Sequence, residues 1–373
     1  MVNKQYYMGI ISGTSVDAVD VAIIDLKDKI DCVATHTHPF PSSLRQSVLA
    51  LSHGTAAIED LARTDVLLGR LFAEAVNTIL NQSGITAGDI HAIGSHGQTV
   101  RHYPDNDIPF TTQIGDPNTI AALTGITTVA DFRRKDLVYG GQGAPLAPVF
   151  HRQLLGHDQA YAVVNIGGMA NITYLPTDPQ QPILGFDSGP GNVLLDSWYH
   201  QHHEGYFDKD GTWAASGKMN DKLLQQFLDD SYFKRSPPKS TGREYFNLNY
   251  LSRYLDQTDE KLSPQDVQAS LTALTALSIA KAIHNYVGTE IEVVISGGGV
   301  YNNHLMSLLQ HYLSPCSVKS IADYGVDPDA VEAMAFAWFA AQTLSKSKID
   351  LTAITGSRQS AVLGGIYFSD SEQ

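Results

Sequence analysis

Tyr6-Tyr7-Met8-Gly9-Ile10-Ile11-Ser12-Gly13-Thr14-Ser15-Val16-Asp17-Ala18-Val19-Asp20-Val21-Ala22-Ile23-Ile24 is the stretch whose reading decides the fold. Two apolar, β-prone runs, residues 6–11 and 19–24, flank the polar turn Ser12-Gly13-Thr14-Ser15, so the chain opens as strand, turn, strand. The pattern returns at residues 161–166 and 171–175, joined by Gly167-Gly168-Met169-Ala170, and the recurrence hints at two similar halves.

Outward from these hairpins, amphipathic helical patterns cover residues 42–52 and 58–82, the second closed by Gly84 as a C-terminal cap. Further helices are expected over 266–287 and 330–344, with strands at 90–94 and 291–295. The last strand runs straight into Ser296-Gly297-Gly298-Gly299. Such alternation predicts an α/β architecture with mixed sheets flanked by helices. At 373 residues the chain should hold about two domains. No low-complexity linker marks the boundary, which is expected within the Gly- and Pro-bearing region 125–143.

With 43% hydrophobic and 17% charged residues, the composition lies far from that of disordered chains. A net charge of −14 and no basic stripe beyond Arg133-Arg134-Lys135 argue against a nucleic-acid partner. An acidic chain can still bind a phosphorylated ligand through backbone N–H groups and a metal ion. Cys32 and Cys316 stand alone and far apart, which excludes a disulfide framework and a structural zinc site. The N-terminus lacks a signal-peptide pattern, and no window approaches the roughly 20 apolar residues of a membrane span, so a soluble, cytoplasmic protein is expected.

Three glycine-bearing turns carry the chemical reading. In residues 9–20, glycine permits close approach to a phosphate, Ser and Thr hydroxyls can donate to it, and a carboxylate can hold Mg²⁺ through water. Gly167-Gly168 and Gly297-Gly298-Gly299 offer the same backbone access. Singly, the first two read better as ordinary turns; together, the three shift the reading toward a nucleotide. The standard nucleotide motifs are absent: Gly211 to Met219 imitates a P-loop, but one residue too long and with Met219 for Ser or Thr, and reads as a surface loop.

Asp187, in Gly185-Phe186-Asp187-Ser188-Gly189-Pro190-Gly191-Asn192, follows an apolar run and precedes glycines that let a substrate pack close. That suits a general base; capping a helix over 192–200 suits it about equally. Polar loop clusters at 94–99, 113–116, 131–134 and 239–244 are further candidates, with His96 the one histidine singled out, and each also reads as loop scaffolding.

These motifs resemble the anhydro-N-acetylmuramic acid kinase family. The matching stretches run in order along the chain: 12–20, 94–101, 113–116, 130–133, 140–148, 165–173, 185–198, 239–246, 266–273, 297–302 and 332–338. Ala18 departs from the family's usual Gly and Ser188 from its usual Thr. The resemblance implies a two-lobed actin-like ATPase (ribonuclease H-like) fold, with residues 1–130 and 350–373 in an N-terminal lobe and 131–349 in a C-terminal lobe that closes on ATP, trapping one ordered water.

By the same resemblance, ATP would be bound by Gly13, Thr14, Ser15, Asp17, Asp20, Gly167, Gly168, Gly297, Gly298, Gly299 and Asn302, with Mg²⁺ held through water by Asp17 and Asp20. Ser12, His96, Gln98, Asp116, Arg133 and Glu332 would bind the sugar, with Arg133 facing its lactyl carboxylate. Asp187 would be catalytic. The implied reaction hydrolyses the 1,6-anhydro bridge of 1,6-anhydro-N-acetylmuramic acid and phosphorylates O6, in cell-wall recycling, in a homodimer. A kinase of another amino sugar, or a non-catalytic actin-like ATP-binding protein, would show the same turns.

Overall fold

The computed structural model describes residues 4–13, 16–54, 56–178, 180–237, 239–243, 245–258 and 261–370. The chain divides into two compact units, Met1–Leu154 with Ala330–Gln373, and Leu155–Asp329.

The first unit begins with the expected hairpin, β1 (Tyr6–Ser12) and β2 (Ala18–Asp25), then β3 (Asp31–Pro39), α1 (Ser42–His53) and α2 (Ile58–Ser83). Gly84, at φ 70°, caps α2 as its position predicts. There follow β4 (Ile90–Tyr103), β5 (Phe110–Ile114), α3 (Pro117–Thr124), β6 (Thr128–Ala130), α4 (Arg134–Val138) and α5 (Ala147–Leu155). β4 is far longer than the five residues expected, because its polar second half pairs with β5.

The second unit holds β7 (Tyr161–Ile166), β8 (Met169–Leu175), β9 (Leu184–Pro190), α6 (Val193–His202), α7 (Thr212–Ser216), α8 (Asp221–Leu228), α9 (Leu248–Leu255), α10 (Pro264–Tyr286), β10 (Glu292–Ser296), α11 (Asn303–Tyr312) and β11 (Ser317–Ser320). The chain then returns to the first unit as α12 (Val331–Leu344), α13 (Thr352–Thr355) and β12 (Gly365–Tyr367).

Among the described residues the first unit's sheet runs β12-β6-β4-β1-β2-β3, with β5 also on β4, and the second unit's runs β11-β10-β7-β8-β9. β1 and β4 are parallel, as are β7 and β10, while the hairpins are antiparallel, so the expected mixed-sheet α/β class is what the structure shows.

The division departs from the expected lobes: residues 131–154 and 330–349 pack with the first unit. The reason is α12. Gly9 and Gly94 are register partners on β1 and β4, and a Cβ on either would collide with helix backbone, at Ala333 O and Phe336 O. Without those two Cβ atoms α12 lies directly on the strands, with Met334, Ala337 and Ala340 wholly buried. In the second unit α10 plays the matching part. Ser263 caps it through Asp266 N, Pro264 opens it, and residues on all its sides from Val267 to Ile283 are buried, which marks a central core helix.

The P-loop-like stretch 211–219 is not a surface loop. The Asp208 carboxylate accepts hydrogen bonds from Trp213 N and Ala214 N, both 2.9 Å, which starts the short helix α7 and buries Ala214 completely.

Candidate active site

In the first unit the expected residues Ser12, His96 and Gln98 meet where β1 ends against the middle of β4, the last rungs of their parallel pairing. Ser12 and Gln98 are register partners, and Ser12 Oγ donates to Gln98 Oε1 at 2.6 Å. One residue earlier the register slips: Ile10 faces Ser95 and Ile11 faces Gly97, leaving His96 as the extra residue of a bulge, with Gly97 at φ 78°. A bulge re-aims the side chain it carries. His96 Nε2 accepts from Arg133 Nε at 2.9 Å, and its Nδ1 lies 3.0 Å from Gly97 O, so the ring is a neutral Nδ1–H tautomer.

Arg133 also donates through Nη1 to Gly143 O at 2.8 Å. Burial pulls its guanidinium down to about 10, against the attraction of Glu332 and Asp136, and it stays charged at neutral pH. Glu332 sits in the first turn of α12, delivered there by the close packing over Gly9 and Gly94. Burial pushes its carboxyl above the ordinary value, and the attraction of Arg133 works against that rise. Burial, reinforced by Arg133, holds His96 well below the ordinary imidazole range.

Two of the expected sugar-site residues also have roles within the unit. Asp116 is the N-cap of α3: its carboxylate accepts from Asn118 N, Thr119 N and Thr119 Oγ1, so its oxygens serve the helix start. Burial works against its charge, but these hydrogen bonds outweigh it and hold the carboxyl below its usual value. Both nitrogens of His96 are engaged within the unit, so it orients Arg133.

Thr14 and Ser15 lie outside the described residues. On either side of them, Val16 N donates to Gly13 O at 3.2 Å, Asp17 is exposed, and Asp20 Oδ1 on β2 accepts from Thr37 Oγ1 at 2.9 Å. No group of three or more His, Cys, Asp or Glu able to hold a metal occurs among the described residues. Two carboxylates beside this turn fit Mg²⁺, which commonly relies on one or two carboxylates plus phosphate oxygens and water.

In the second unit, four polar residues form one row across the sheet: Ser296, Asn165, Asn171 and Asp187 are successive register partners on β10, β7, β8 and β9. Cross-strand partners share a face. The next row, Ile295, Val164, Ile172 and Phe186, is buried and apolar, as alternation requires. Ser296 is 1% exposed and its Oγ has no hydrogen-bond partner among the described residues.

Beyond this row lie the two glycine turns. The carbonyls of Gly167 and Gly168 are taken by Asn192 N and by Gly191 N and Val193 N, which ties the hairpin tip to the start of α6. Gly297, at φ 77°, and Gly299 pack so tightly on Asn165 and Ile166 that a Cβ on either would collide, whereas a Cβ on Gly298 would meet nothing within 4 Å. Gly298 is therefore the open position. Asn302 caps α11 through Leu305 N, so its Oδ1 holds the helix.

Asp187 does not cap α6, whose N-cap is Asn192. It is held on β9 from three sides: Thr241 N donates to Oδ2 at 2.9 Å, its own N–H donates to Lys239 O at 2.9 Å, and Tyr232 Oη donates to its carbonyl at 2.9 Å. Lys239, 7% exposed, rests its Nζ 4.8 Å from the centre of the Tyr232 ring. Burial and Arg235 lower the Lys239 pKa, while Asp187 raises it. Sequence reasoning noted 239–244 as a polar loop within a family-matching stretch but gave its residues no role. It missed Tyr232 altogether, since a Tyr beside Phe233 reads as an ordinary apolar contact residue. It also missed Asp136, a buried carboxylate that accepts from Gly143 N and Thr355 Oγ1 and so shapes the loop whose carbonyl holds Arg133.

No helix among the described residues is long and apolar enough to cross a membrane. A kinase from Coxiella burnetii, named anhydro-N-acetylmuramic acid kinase, is 50% identical over 370 residues, covering 98% of each chain. One of the same name from Shewanella loihica is 47% identical over 372 residues, covering 98% of this chain and 99% of its own. Among solved structures, a ROK family glucokinase from Streptomyces griseus in complex with glucose and AMPPNP is 10% identical, with a TM-score of 0.41 over 90% of this chain and 99% of that one. The model of the family described as anhydro-N-acetylmuramic acid kinase matches residues 5–369, so this chain is a kinase that belongs to the anhydro-N-acetylmuramic acid kinase family.

Proposed function

We propose that the enzyme consumes ATP and water to convert 1,6-anhydro-N-acetylmuramic acid into N-acetylmuramic acid 6-phosphate and ADP, with Asp187 as the base. The observation that carries this reading is the three-sided hold on Asp187, at the end of a polar row that adjoins two glycine turns. A rigidly held carboxylate in a glycine-rich setting is what general-base chemistry needs.

The substrate's O6 is tied up in the anhydro bridge, so no free hydroxyl is available to deprotonate. Asp187 takes a proton from water as its oxygen bonds to the anomeric carbon. The bond from that carbon to the bridging oxygen breaks, and this oxygen, still on C6, bonds to the γ-phosphorus as the bond to the β-phosphate oxygen breaks. The proton on Asp187 leaves to solvent, and ADP departs. Mg²⁺ bound with ATP would neutralise charge on the phosphoryl group, held through water by Asp17 and Asp20.

For ATP we assign Gly13, Thr14, Ser15, Asp17 and Asp20 in the first unit, and Gly167, Gly168 and Gly297 to Gly299 in the second, with Gly298 offering the open backbone. For the sugar we assign Ser12, Gln98, Arg133 and Glu332. Arg133, oriented by His96, suits the lactyl carboxylate. The reaction would serve peptidoglycan recycling in the cytoplasm, by a homodimer.

The test is ADP release with Mg-ATP and 1,6-anhydro-N-acetylmuramic acid, beside N-acetylmuramic acid and N-acetylglucosamine, with products weighed by mass spectrometry. A product heavier by one water and one phosphoryl group is expected from the anhydro sugar alone. Reaction only with sugars bearing a free 6-hydroxyl would overturn the substrate, and no reaction would return the non-catalytic reading.

A further inference from the structure

The segment that clamps Asp187 continues to Arg243, whose guanidinium sits over the tip of the β7–β8 hairpin. A Cβ built on Gly168 would lie 3.8 Å from Arg243 Nη2 and 4.0 Å from its Nε. The tip's carbonyls are already spent on the amides of Gly191, Asn192 and Val193, and Gly167 N donates to Met169 O, so the side left open at Gly168 is the one beneath the guanidinium. Arg243 is solvent-exposed, and the ion pairs among the described residues, Lys29–Asp31, Arg134–Asp131 and Lys319–Glu292, leave it without a carboxylate partner.

Two residues apart in sequence, Thr241 N thus holds the carboxylate of Asp187 while Arg243 places a planar donor over the glycine turn. An Nε/Nη2 edge matches two oxygens of a phosphoryl group, a geometry that lysine cannot offer. We propose that Arg243 is a further catalytic residue, donating to the γ-phosphoryl oxygens as the group transfers. Charge on those oxygens is what phosphoryl-transfer enzymes stabilise, and one loop then carries both the clamp on the base and the cation for the transferring group. The inference rests on the reading of Asp187 and of the Gly167-Gly168 turn given above.

The test compares wild type with Arg243→Lys, Arg243→Met and Arg243→Gly, reading kcat, KM for the sugar, ADP affinity by calorimetry, and thermal unfolding. Arg243→Met should lower kcat roughly 10²–10³-fold, as loss of one preorganised transition-state donor does, with sugar KM and ADP affinity within about threefold. Arg243→Lys, which keeps the charge and the fold but loses the fork, should recover less than a tenth of the lost rate. Added guanidinium ion should accelerate Arg243→Gly in a saturable way, which a purely structural arginine would not permit.

A kcat within threefold of wild type in both Met and Lys variants overturns the proposal. So does a rise in sugar KM at unchanged kcat, which would assign Arg243 to the sugar. Absence of any phosphorylated product from wild type would instead sink the underlying reading, and the two failures are distinct.

Discussion

Thr241 N donates a 2.9 Å hydrogen bond to Asp187 Oδ2, joining residues 54 positions apart in the chain. The same loop accepts from Asp187 N through Lys239 O, so the carboxylate is fixed in both position and direction. That separates its geometry from its chemistry.

Asp187→Asn should therefore leave the fold and nucleotide binding intact while lowering turnover by about 10²–10⁴-fold, the usual contribution of a positioned base. Steady-state ADP release and calorimetric ADP binding check this together. Wild-type-like turnover in the variant would remove Asp187 from the mechanism.

Gly94→Ala should damage the first unit from its centre. The added Cβ meets Phe336 O and lies 3.2 Å from Ala340 Cβ, and backbone on both sides cannot yield cheaply. Overpacking of this kind costs about 1–3 kcal/mol. Scanning calorimetry should show a lower melting temperature, and sugar KM should rise because α12 carries Glu332. An unchanged melting temperature would mean that α12 is not seated on the strands as described.

Asp116→Ala should cost about 0.5–2 kcal/mol by removing the cap of α3. Denaturant unfolding would register it, while sugar KM stays at its wild-type value. A large rise in KM without loss of stability would make Asp116 a sugar ligand.

Stability should fall on mild acidification. Burial holds His151 and His102 down to about 4 from an ordinary 6.5, and His96 is lowered as well. Between those limits the unfolded chain binds protons that the folded chain refuses, so stability rises with pH from about 4 to 6.5 and is level above. For His151 alone, 2% exposed, the full shift corresponds to on the order of 3 kcal/mol. Urea midpoints at pH 7 and pH 5 test the sign, and His151→Asn should flatten the dependence.

Much of this was legible in the residues themselves. Apolar periodicity located the two hairpins, α2 with its Gly84 cap, α10 and α12, because alternation and helical spacing are local properties of a chain. The motif order along the chain pointed to the family, and Asp187 stood out because an acid between an apolar run and glycines can be held rigidly with a substrate packed close against it.

What sequence alone determined, then, is the element types, the mixed α/β class, the family and the leading catalytic candidate. Tertiary structure decided the rest. It placed residues 330–349 with the first unit, since only packing reveals that Gly9 and Gly94 clear a seat for α12. It turned Asp116 and Asn302 into helix caps and His96 into the bulged partner of Arg133. It also brought Tyr232, Lys239, Thr241 and Arg243 to Asp187 and Gly168. Propensity acts over neighbours in the chain, whereas a hydrogen bond across 54 residues exists only once strands and loops have found their partners in space.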